Sequence, residues 1–113
     1  MARNLAIELT AAYDEALATV DVLILPTLPI TATPIPTPGV PREESIARST
    51  EMIVNTAPFD ISGHPATSVP AGQVDGLPAG LMIVGRHFDD AMCLRVARAC
   101  ELAAGGFPVP RGC

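Results

Sequence analysis

Residues 20–26 read VDVLILP, in which Val22, Leu23, Ile24 and Leu25 are apolar without a break before Pro26. A strand with one wet face alternates apolar and polar residues, whereas an unbroken apolar run of this length belongs to a strand covered on both faces. The proline has no amide hydrogen to continue a ladder and closes the run. A strand over about 21–25, sandwiched between layers, sets the expectation of an α/β fold.

On its N-terminal side, Leu5, Leu9, Ala12, Tyr13, Ala16, Leu17 and Val20 recur every three or four residues, while Glu8, Asp14, Glu15 and Thr19 lie off that stripe. This spacing predicts an amphipathic helix over 3–19. On the other side, residues 26–41, PTLPITATPIPTPGVP, hold six of the chain's twelve prolines. They withhold donors from any ladder and favour an extended connection. As a ligand for a proline-recognising groove this run lacks a flanking cation until Arg42.

Glu43 and Glu44 stand where the positive end of a helix over 43–54 would be, with Ile46, Met52 and Ile53 as its apolar positions. Two further strands follow, about 66–71 and 79–85, joined by a Gly/Pro turn at Val74 to Pro78. The second, in AGLMIVG, is again apolar on both faces. A helix over 89–103, capped by Asp89 or Asp90 and stopped by Gly105, closes the chain. The pattern is one α/β unit of about three strands and three helices.

The composition excludes several partners. The chain has 113 residues, 49% hydrophobic, and a net charge of −5. Its cations are scattered arginines at 3, 42, 48, 86, 95, 98 and 111, with no basic run to neutralise phosphates. Nucleic acid and anionic membrane are not expected partners, and nothing approaches the apolar length of a membrane span. Cys93, Cys100 and Cys113 show neither a disulfide framework nor zinc spacing. Free thiols, and acidic residues where a signal peptide would need an apolar run, point to the cytoplasm.

The stretch TAPFDISGHPATSVPAG, residues 56–72, places Asp60, Ser62 and His64 two apart. On an extended strand they would share one face at intervals of about 6.5–7 Å. A nucleophile and its base need contact at about 2.6–3.2 Å. The expectation is therefore a turn, marked by Gly63 and Pro65, in which Asp60 and Ser62 bond local backbone and His64 leads into the next strand. GxSxG, P-loop and HExxH motifs are absent.

VDVLILPTLPITATPIP, NTAPFDISGHPATSVPAG and DGLPAGLMIVGRHFDDAMCLRVARACE, in that order, resemble the C-terminal part of the amidase signature family of serine amide hydrolases, over residues 3 to about 102. The resemblance implies part of a larger α/β domain with a mixed sheet covered by helices. It implies hydrolysis of carboxamides through an acyl-enzyme, without metal or cofactor. The family's Ser-cisSer-Lys triad and its Gly/Ser-rich oxyanion loop lie upstream of these motifs. This chain has no lysine, so no catalytic role passes to any of its residues, and the isolated chain is expected to be inactive.

What the resemblance assigns here is one wall of the acyl pocket: Thr27 after the first strand, and Ile53, Thr56 and Phe59. In the family's glutamyl-tRNA amidotransferase member an acidic residue for glutamine stands about twelve positions before the motif proline. Ile53 occupies that place, which implies a less polar carboxamide. The implied partners are a missing N-terminal amidase portion and a small-molecule amide, with an exposed apolar surface that homodimerisation or aggregation would bury. Two other readings stand beside it: a standalone interaction module or complementing half of a split enzyme, and a small hydrolase using Asp60, Ser62 and His64.

Overall fold

The apolar run AGLMIVG becomes the middle of a three-stranded sheet in the computed structural model, which describes residues 2–107; Arg111 and Cys113 lie outside the described residues. The elements are α1 (Ala2–Leu17), β1 (Leu23–Pro26), α2 (Arg42–Met52), α3 (Ala57–Ser62), β2 (Ala66–Val74), β3 (Leu77–Val84) and α4 (Asp90–Ala103). The sheet order is β1-β3-β2. Both pairings are antiparallel, with Val84 between Leu23 and Ala66 and Met82 between Leu25 and Ser68. The chain is an α/β unit of three strands and four helices among the described residues.

Ile83 and Val84 point to opposite faces and are each 0% exposed, as a strand covered on both sides requires. On one face, Met82, Val84 and Phe59 form the core, with Tyr13, Leu23 and Leu25 packed against them. The Tyr13 and Phe59 rings lie 4.8 Å apart between centroids, so α1 and α3 together roof this face. On the other face α4 covers β2 and β3 and buries Cys93. It stops short of β1, where Ile24 remains 54% exposed.

Two local expectations give way to the structure. Residues 57–62 form a helix rather than a turn: Pro58 sits in its first turn, where its missing amide hydrogen has no partner to lose, and Gly63 ends it in the left-handed conformation at φ 74°. The β2–β3 connection is also tighter than five residues. Asp75 and Gly76 alone turn the chain, with φ of 52° and 79°, the geometry of a two-residue hairpin. Pro70 and Pro78 are tolerated inside the strands because β2 is an edge strand, and β3 has no β1 partner before Leu81.

Arg86, just after β3, fastens α1 to the sheet. Its Nε donates to the Leu17 carbonyl and its Nη2 to the Val20 carbonyl, each at 2.9 Å, placing a cation at the negative end of the helix. In contrast, α2 buries no residue. The whole forms a slab of 46 × 46 × 20 Å with a radius of gyration of 16.6 Å, against about 13 Å for a compact chain of this length. Its accessible surface is 8186 Å², where a folded monomer of this mass shows about 5,900 Å². Among the described residues no helix is long and apolar enough to cross a membrane.

Candidate functional site

One side chain ties the segment that carries Ile53 and Thr56 to the end of β1, next to Thr27. The Asn55 side-chain amide donates to the Pro26 carbonyl at 2.8 Å and ties the α2–α3 junction to the residue preceding Thr27. Within that junction, Ile53 follows α2 and is 52% exposed, and the Thr56 hydroxyl donates to the Ile53 carbonyl at 3.2 Å. Phe59 points the other way and is 5% exposed in the core. Thr27 bonds its amide to the Gly80 carbonyl at 2.9 Å. Its hydroxyl meets that of Ser68 at 2.6 Å, across β3 at the one place where β3 carries no side chain between them. The result is a surface of hydroxyls, an aliphatic side chain and backbone, open to solvent and free of any titratable group that these bonds engage.

A second cluster was only partly legible. The Ser62 hydroxyl lies 2.9 Å from His64 Nδ1, and His64 Nε2 lies 3.2 Å from Asp14 Oδ1. Asp60, the acid that the spacing suggested, takes no part; Asp14 comes from α1, fifty residues away in the chain. The Ser62–His64 contact, which an extended strand would forbid, forms for a physical reason. Ser62 ends a helix, and the left-handed Gly63 turns the chain so that the residue two positions on swings back beside it. Asp14 carried one faint signal, a polar residue off the apolar stripe of α1 yet beside Tyr13.

Serine, imidazole and carboxylate in this order have the form of a nucleophile, a base and its orienting acid. Burial decides against that role. Ser62 is 7% exposed and the His64 side chain 0%, which leaves no room for an acyl carbon at the hydroxyl. Among the described residues no buried side-chain nitrogen or oxygen lacks a partner. His87 stacks on His64 with centroids 4.0 Å apart and planes at 30°, and its Nε2 lies 3.8 Å from the same Asp14 oxygen.

The buried thiol of Cys93 donates to the Pro65 carbonyl at 3.5 Å. Burial, and then the charges of Asp90 and Asp89, push its pKa up, which keeps it a thiol and a poor nucleophile at neutral pH.

The family model described as Amidase matches residues 1–94. An uncharacterized protein in the nthA 5' region of Rhodococcus erythropolis is 56% identical over 109 residues, 96% of this chain and 55% of that protein. The enantioselective amidase of Rhodococcus rhodochrous is 56% identical over 110 residues, 96% of this chain and 21% of that enzyme. Among solved structures, a glutamyl-tRNA(Gln) amidotransferase subunit from Thermotoga maritima superposes with a TM-score of 0.80 at 32% identity, covering 97% of this chain and 24% of that one. The chain thus spans about half of one relative and between a fifth and a quarter of the others.

Proposed function

Because the chain belongs to the amidase family, we propose that it supplies the C-terminal part of a cytoplasmic carboxamide hydrolase, in which an acyl-serine forms on residues outside this chain and water releases the carboxylate. Ammonia or an amine leaves in the first step. The observation that carries this reading is the family match across a chain that spans 21% of an enantioselective amidase and contains no lysine. Acyl transfer without an activated nucleophile and preorganised donors for the oxyanion loses its main sources of acceleration. The isolated chain is therefore inactive, and its role in the intact enzyme is to shape the pocket.

Thr27, Ile53 and Thr56 form the wall nearest the acyl group, and Phe59 supports it from the core. Ile53 presents an aliphatic side chain, which suits an apolar carboxamide better than glutamine, since a polar amide side chain would lose water without gaining a partner. The uncovered surface supports the same reading. The excess over a compact monomer is about 2,300 Å², the scale of an obligate interface, and the partner it fits is the N-terminal amidase portion.

The test is a chimera in which this chain replaces the 110 aligned residues of the Rhodococcus rhodochrous amidase. The chimera is expected to hydrolyse its parent's amides with kcat/KM within about tenfold of the parent, or ~1.4 kcal/mol in the barrier. A soluble, folded chimera without hydrolysis would overturn the proposal.

A further inference from the structure

Three ligating side chains from three separate elements converge beside the core: Asp14 of α1, His64 between α3 and β2, and His87 between β3 and α4. Their donor atoms lie within 4.8 Å of one another. Asp14 Oδ1 is 3.2 Å from His64 Nε2 and 3.8 Å from His87 Nε2. Ligands bound about 2.0–2.1 Å from a tetrahedral zinc ion stand about 3.3 Å apart. The two Asp14 spacings bracket that value, while the His64 and His87 nitrogens stand within 4.8 Å of each other, so the partly exposed His87 ring must turn out of its stack on His64 to share a centre with it. We propose that Asp14, His64 and His87 form a Zn²⁺ site that braces α1 against the α3–β2 and β3–α4 junctions.

Further observations favour an ion over a plain hydrogen-bonded scaffold. A single Asp14–His64 bond accounts for His64 but leaves His87, which makes no side-chain hydrogen bond among the described residues and stands 3.8 Å from the nearest acidic oxygen. His64 also has the support that a metal-bound imidazole ordinarily shows: its second ring nitrogen lies 2.9 Å from the Ser62 hydroxyl, which can accept the Nδ1 proton and so leave Nε2 free to ligate. Access is open from one side only. The His64 side chain is 0% exposed, His87 is 31% and Asp14 54%, so an ion can enter from solvent and keep water as a fourth ligand. The site is independent of the acyl pocket and of the proposed hydrolysis.

The chain contains two histidines, which makes the test unambiguous. The purified 113-residue chain, treated with chelator and dialysed, is titrated with ZnCl₂ while the imidazole ¹⁵N resonances are followed. One equivalent is expected to shift the Nε2 resonances of both His64 and His87. Asp14→Asn and His87→Ala are each expected to weaken Zn²⁺ binding by about tenfold or more, whereas Cys100→Ser and Cys113→Ser leave it unchanged. CoCl₂ should give the visible absorption of a four-coordinate ion without a thiolate band. Resonances that do not move, affinity that survives both Asp14→Asn and His87→Ala, or binding that depends on the cysteines would overturn the site.

Discussion

A methyl group at position 80 would stand 2.8 Å from Thr27 Oγ1 and 3.0 Å from Ser68 Oγ, inside the bond these hydroxyls make with each other. Gly80→Ala is expected to part them and lower the stability of the chimera by about 1–3 kcal/mol, read as a lower midpoint in thermal unfolding. Ile53→Asp in the same chimera would put a charge on the apolar wall. It is expected to raise KM for an apolar amide by about tenfold or more with a smaller change in kcat. Cys93 and Cys100 offer a contrast on one helix. The raised pKa of buried Cys93 keeps it protonated, so iodoacetamide at pH 8 is expected to label Cys100 at least about tenfold faster. The same shift makes the fold less stable as pH climbs above the ordinary thiol range, because the unfolded chain then releases that proton more readily. At this scale the sequence was a partial guide. The trio Asp60, Ser62 and His64 drew attention through proximity in the chain, but the acid that meets His64 is Asp14, and no local pattern encodes a contact made across fifty residues.

Among the elements, the apolar runs were the most legible: VDVLILP and AGLMIVG became β1 and β3, but the expected cover on both faces is met within this chain only at β3, where Ile83 and Val84 are 0% exposed, and not at β1, where Ile24 stays 54% exposed. α3 was illegible because its six residues are too few to show a helical period, and Gly63 with Pro65 read as a turn when Gly63 is the stop of a short helix whose first turn holds Pro58. The hairpin was read in the right place but too wide: Asp75-Gly76 is a strong two-residue turn signal, and Pro78 drew the expected turn out over Val74 to Pro78. α2 differs from every other helix in burying no residue. Backbone amides of α2 in the isolated chain are expected to exchange hydrogen far faster than those of β3, by about a hundredfold or more, and to gain protection in the chimera. Equal protection of α2 and β3 in the isolated chain would show that α2 needs no further cover.

At the scale of the whole molecule, composition and slab shape together explain the exposed apolar residues. A chain that is 49% hydrophobic and folds into layers only 20 Å thick cannot bury all of its apolar residues, and Leu5, Ile7, Ile24, Ile61 and Leu94 are each more than half exposed. Unbroken apolar strands announced a covered sheet, yet which faces this chain covers and which it leaves to other residues depends on packing that no single stretch records. The proposed function ties these features together: in it the chain is a wall and a scaffold for amide hydrolysis whose reactive groups lie elsewhere. The most direct test is ammonia release from a panel of apolar carboxamides, measured for the isolated chain beside the chimera. Release by the chimera, and none above buffer by the isolated chain, is the expected result. Release by the isolated chain that Ser62→Ala abolishes would contradict the claim, and would make the buried Ser62, His64 and Asp14 relay a catalytic one.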